Sequence, residues 1–194
     1  MADIEFTAYA DDCLFHAHLD LPEGSRLTDH LNEVEKVALT DVQLLALEDG
    51  HLVRQETLAL DVYDIFAIEA PASSTPTAQR IRTRTSRVEV ELGPYRVLGH
   101  LHGPTSGDPF AAITRRKPMI PITEATVAFT LNGKARMRDV DVVIINRLRA
   151  SLVQRVVAEP DKLADFGLSP VDPNAKDLTH ELSYGIRDPS ESQG

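Results

Sequence analysis

Two pairs of histidines are spaced for joint work. His16-Ala17-His18 and His100-Leu101-His102 each place imidazoles at i and i+2, and on a strand those positions share a face. Two imidazoles on one face make half of a zinc-type site. Asp20 follows His18 at the same spacing and is the natural third ligand. A metal-dependent enzyme built on His16, His18 and Asp20 is therefore one reading. The competing reading is a solvated strand face that holds no ion, and no metal or other cofactor is expected. Cys13 is the only cysteine. It has no disulfide partner in this sequence, and it fits a small apolar core position in a reducing, cytoplasmic setting. There is no Gly-rich phosphate loop, no Gly-x-Ser-x-Gly elbow and no Cys-x-x-Cys.

The other chemically marked residues are cations: Arg80, Arg82, Arg84, Arg87, Arg115, Arg116 and Lys117. Such a cluster suits phosphate or an acidic protein surface. Only Tyr95 and Phe110 lie near it in sequence, whereas a single-strand platform stacks bases on several rings. A protein partner is thus expected ahead of nucleic acid. The charge is divided along the chain. Residues 1–70 carry a net −13, residues 71–157 a net +8 and residues 158–194 a net −5. The acidic and basic stretches should attract one another, within a chain or between chains. No run approaches the roughly 20 apolar residues of a membrane helix, so no membrane partner is expected, and the N-terminus shows no secretory pattern.

The elements that carry these residues read as strands. Val37–Gly50, VALTDVQLLALEDG, has an echo in Ile120–Gly133, IPITEATVAFTLNG. At a constant offset Val37 meets Ile120, Asp41 meets Glu124, and Asp49-Gly50 meets Asn132-Gly133. Before the first copy, Ile4–Tyr9 and Cys13–Leu21 alternate with period two around an Asp11-Asp12 turn, as a hairpin does. Arg26–Asn32 is expected to form one helical turn capped by Thr28 or Asp29. Leu52–Leu60 and Val62–Ala70 read as further strands.

Pro71–Thr77 is linker-like in composition. The order then repeats, with Val88–Leu92, a Gly93-Pro94 turn, Tyr95–His102, a Pro- and Gly-rich break, the echo strand and Met137–Ile145. His100 aligns with His18, Leu98 with His16, and Asn146 with Tyr63. Leu148–Ala158 fits a helical face, or a strand beside a helical turn. Glu159–Gly194 is rich in Pro, Asp and Ser and is read as irregular, with short docking segments.

This order of strands resembles the Sm-like barrel. Gly93 and Gly99 match its glycine-bounded hairpin. Asp29 and Asn32 fall near its Asp…Asn loop, and Ile144, Ile145, Asn146 and Arg147 fall near its closing strand. The resemblance implies RNA binding through Asp29, Asn32, Asn146 and Arg147. The Asp…Asn pair is absent from the second half, and the closing glycine is absent from both. Arg26–Asn32 is also similar to an Arg-Leu-Ser-Asp-x-Leu-Asn run in a family of uncharacterised bacterial domains, over residues 4–70, which carries no assigned activity.

The expected fold is all-β with minor helix: two tandem Sm-like or SH3-like small barrels, acidic over 1–70 and basic over 80–157. A linker at 71–79 joins them, and an acidic tail at 158–194 follows. The expected function is a non-enzymatic interaction or assembly module that pairs strand edges and complementary charge, with itself or an acidic protein as partner. RNA binding of the Sm-like kind is the alternative, and a metal enzyme on the histidines is the third.

Overall fold

A computed structural model of the chain describes residues 2–70, 83–111 and 113–156. The 71–79 linker, Arg80, Arg82 and the 158–194 tail lie outside the described residues. The fold is all-β: among the described residues ten strands, β1 to β10, form one antiparallel sheet. They are Ala2–Tyr9, Cys13–Leu21, Lys36–Ala46, Leu52–Asp61, Ala67–Glu69, Arg84–Leu92, Tyr95–Gly103, Met119–Leu131, Lys134–Asn146 and Leu152–Arg155. The one α-helix among the described residues is α1, Leu27–Leu31. It starts earlier than expected, with Arg26 as an extended N-cap that makes no side-chain cap bond. Leu27 and Leu31 are buried, so packing rather than a cap fixes the turn. Val62–Asp64 and Ile113–Arg115 form short 3-10 turns. Where a helical face over 148–158 is one of the expectations, the chain instead makes a tight turn and then strand β10.

The sheet order is β10-β6-β7-β8-β9-β5-β1-β2-β3-β4. Each half is therefore a four-strand meander whose fifth strand returns to pair with its first: β5 on β1, and β10 on β6. Each half also carries a bulge at the same point. The β2–β3 register shifts between His16 and His18, and the β7–β8 register shifts between Leu98 and His100. Asp41 (φ 50°) and Glu124 (φ 48°), matched in the sequence echo, take the left-handed backbone at these bulges. The bulge in the second half is tighter. A Cβ on Gly99 would sit 2.6 Å from Ile122 Cγ2 and 3.0 Å from the Thr123 carbonyl oxygen.

The two hairpin turns differ. Leu131 pairs directly with Lys134 around Asn132-Gly133, whereas Leu45 pairs with Leu52 around a longer loop. Between the matched pairs Leu45–Leu52 and Ala128–Met137 the second half holds two more residues, so the constant offset of the echo breaks after β3. Asn146 matches Asp61, the last residue of β4, and not Tyr63.

Each half has an apolar core, and each core borrows from the other half. Tyr9, Leu14, Leu45, Leu47, Phe66 and Ala67 join the second-half cluster, while Met119 and Ile144 join the first. Tyr9, Tyr95, Phe66 and Phe129 form an edge-on aromatic group across the boundary, with ring centroids 5.0–6.2 Å apart.

Candidate functional site

The halves meet along β5 and β9, in a join built strand edge to strand edge. Ala67, Ile68 and Glu69 pair with Ile145, Ile144 and Val143, and all of these except Glu69 are essentially inaccessible. Asn146 closes one end. Its N–H donates to the Phe66 carbonyl at 2.8 Å. Its Nδ2 donates to the Ile65 carbonyl at 3.2 Å and reaches that of Tyr63 at 3.5 Å. Its Oδ1 accepts from the Leu148 N–H at 3.1 Å. Asn32 fixes a second point. Its Oδ1 accepts from Met119 N–H and its Nδ2 donates to the Met119 carbonyl, both at 2.9 Å. This side-chain amide completes an edge of β8 as a strand backbone would. Tyr95 OH donates to the Cys13 carbonyl, and Asn132 N–H to that of Leu47.

Among the described residues two strands pair on one side only: β4 and β10, the ends of the sheet. They hold, in the other half, the places that β9 and β5 hold in the join. Leu58-Ala59-Leu60 on β4 match Val143-Ile144-Ile145 by register. Leu152-Val153-Gln154 match Ala67-Ile68-Glu69 in the same way. The turns that precede β5 and β10 also agree bond for bond. Tyr63 N–H donates to Asp61 Oδ1, as Leu148 N–H does to Asn146 Oδ1. Ile65 N–H donates to the Val62 carbonyl, as Ala150 N–H does to that of Arg147. Phe66 N–H donates to the Tyr9 carbonyl, as Ser151 N–H does to that of Glu91. The four exposed large hydrophobics among the described residues are Val53, Tyr63, Leu148 and Leu152. Every one of them lies on β4, on β10, or in the turn between such a strand and its neighbour.

Of the residues singled out by the Sm-like likeness, two serve the join. Asn32 and Asn146 are occupied as described above. Arg147 Nε donates to the Arg116 carbonyl at 2.9 Å. Asp29, on α1, lines a shallow cleft of about 300 Å³ with Arg26, Arg116 and Lys117. The cation cluster is divided: Arg87 lines a separate pocket with His100 and Glu124, while Arg84 and Arg115 are exposed. Arg116 donates to the His102 carbonyl, and burial lowers its pKa.

The histidines do not converge on a common point. His16 Nε2 lies 2.6 Å from Glu5 and His18 Nδ1 lies 3.0 Å from Asp3, while Asp20 is exposed. His102 bonds the hydroxyls of Thr83 and Thr123, and burial lowers its pKa. His100 Nδ1 lies 3.3 Å from Glu124 Oε2 without hydrogen-bond geometry. Among the described residues no three such side chains are placed to hold a metal ion.

The group that sequence reasoning missed is Glu69. It sits on β5 inside the join, accepts from Tyr9 OH, and lies 3.1 Å from Arg138 of β9. This ion pair spans the two halves. Burial pushes its carboxyl above the usual carboxylate range, although Arg138 and Tyr9 pull the other way. Burial, and then Glu69 itself, push the Tyr9 hydroxyl up as well. No sequence signal marked Glu69, because its neighbours come from distant strands. Burial also pushes the Cys13 thiol up to about 11, with Asp12 adding to it.

No family model, no curated protein and no solved structure matches this chain.

Proposed function

We propose that the protein is a non-enzymatic assembly module, two descendants of one small Sm-like or SH3-like barrel, whose copies associate by laying β10 of one chain against β4 of the next. The observation that carries this reading is the correspondence of edges: the two open strands hold the same places as the two strands already joined inside the chain. Repeating the join between chains would cover Leu58, Leu60 and Leu152 as β5 and β9 cover their counterparts. An edge with unpaired backbone groups and apolar side chains is a template for another strand. The charge division favours the same contact, since β4 belongs to the acidic half and β10 to the basic half. The contact is head-to-tail, so it builds rings where the rotation closes and filaments where it does not.

In the join, Asn146 and Val142 turn their backbone groups toward β5, and alternation does the same for Ile144. Its counterpart Ala59 therefore points N–H at the open side of β4. Proline there removes an outward donor and leaves the β3–β4 ladder intact. Sedimentation of the full chain should show species larger than the 21.4 kDa protomer, falling as salt rises, and Ala59→Pro should return them to the protomer. A wild-type chain that stays a protomer at all concentrations would overturn the reading.

A second reading, RNA binding, has one observation in its favour: Arg26, Arg116 and Lys117 face one cleft beside Asp29. It requires single-stranded RNA to be retained on a filter at about 50 mM salt and released steeply above it. No retention at low salt would remove it.

A further inference from the structure

The ends of β4 and β9 share a side-chain turn bond but differ in the second side-chain atom, and that difference sits on a donor. Asn146 ends β9 and gives its Nδ2 to the carbonyls of the facing turn, at Ile65 and at Tyr63. Asp61 ends β4 in the matching place and holds the matching turn bond, from Tyr63 N–H at 2.8 Å. Its second carboxylate oxygen takes the position of the Asn146 amide nitrogen, and a carboxylate oxygen cannot donate. In a β4–β10 contact the facing carbonyls would be those of Leu148 and Ala150, the counterparts of Tyr63 and Ile65. Ionised Asp61 would then set negative charge against carbonyl oxygens, desolvated and without a partner.

We propose that Asp61 is the residue that sets how strongly copies pair: it withholds the donor that Asn146 supplies within the chain, and so keeps the copy-to-copy contact weaker and more reversible than the internal one. This rests on the assembly reading above. It also explains how one chain carries both a permanent join and an adjustable one from the same arrangement of strands. The internal contact carries the Asn146 bonds to the facing turn, and the external contact lacks them. The β4 edge is thereby protected from indiscriminate pairing by an acid at its rim.

The test is Asp61→Asn in the full chain. Asparagine is isosteric and still accepts from Tyr63 N–H through Oδ1, as Asn146 accepts from Leu148 N–H, so the turn is kept. Sedimentation over a concentration series, with circular dichroism to verify the fold, should show self-association tighter by about tenfold or more, the effect of one or two added hydrogen bonds with a repulsion removed. The double variant Asp61→Asn with Ala59→Pro should fall back to the protomer, which places the gain on the β4 edge. If the wild type associates and Asp61→Asn associates equally or more weakly, the role of Asp61 is overturned while edge assembly stands. If the gain survives in the double variant, the role of Asp61 is likewise overturned, because association then runs through another surface. If neither the wild type nor Asp61→Asn associates, the assembly reading itself is overturned.

Discussion

The two halves share one order of strand pairing, yet among the described residues the fourth strand of one is covered and that of the other is bare. Strand β9 has β5 laid along it, so Val143, Ile144 and Ile145 are fully buried. Among the described residues strand β4 has no neighbour on that side, and its matching residues Leu58, Ala59 and Leu60 stay partly or wholly open. The difference extends to single side chains. Asn146 bonds a facing turn where Asp61 bonds only its own. Glu69 is enclosed between Tyr9 and Arg138, whereas the matching Gln154 is exposed and bonds Glu89. Gly99 is pressed by Ile122 where the matching bulge residue, Ala17, carries a Cβ. A shared chain path therefore does not confer shared energetics, and what differs is whether an edge is occupied.

The largest test of that contrast is at the matched strand ends. Asn146→Ala removes a buried side chain that bonds on both sides of the join, and should cost about 3 kcal/mol in chemical denaturation. Asp61→Ala removes one exposed turn bond and should cost about 1 kcal/mol or less. Equal losses would mean that the join is not what makes Asn146 important.

The bulges come next. Gly99→Ala forces a Cβ against Ile122 and the Thr123 carbonyl, and should cost about 2 kcal/mol. Ala17→Gly should cost about 1 kcal/mol or less, through chain entropy. A benign Gly99→Ala would show that the second-half bulge has slack.

The smallest effect concerns pH. The folded pKa of Glu69 lies above its unfolded value, so the native state binds this proton more tightly. Stability from this group is present at low pH and declines as pH climbs from the ordinary carboxylate range through the folded value, by at most about 1.4 kcal/mol per pH unit. Glu69→Gln should flatten that decline, and the same substitution pattern has no counterpart at Gln154. A denaturation series over pH in which wild type and Glu69→Gln run parallel would remove Glu69 as the source.

Much of the all-β character was legible from the residues. Period-two alternation marked β1, β2, β6 and β7, and Asp41 with Glu124 stood at matched positions before either proved to have positive φ. The charge division was legible too, but its use was not. The halves meet through apolar strands, aromatic rings and side-chain amides, with Glu69–Arg138 as the ion pair between them. The Sm-like likeness drew attention to Asp29, Asn32, Asn146 and Arg147; Asn32 and Asn146 are taken up in holding the halves together, while Arg147 bonds the Arg116 carbonyl within the second half. Polar residues that staple a fold and polar residues that bind a ligand look alike in sequence, because both are hydrogen-bonding types at strand and turn ends.

By itself the sequence determined where the chain is extended and where it turns, because those depend on neighbours one to four residues away. Only the tertiary structure decided which edge lies against which. Strand pairing is set by backbone groups that every residue carries alike, and its register here shifted with two extra residues in one hairpin. That shift moved Asn146 from Tyr63 to Asp61 as its counterpart, and with it the comparison on which the assembly reading turns.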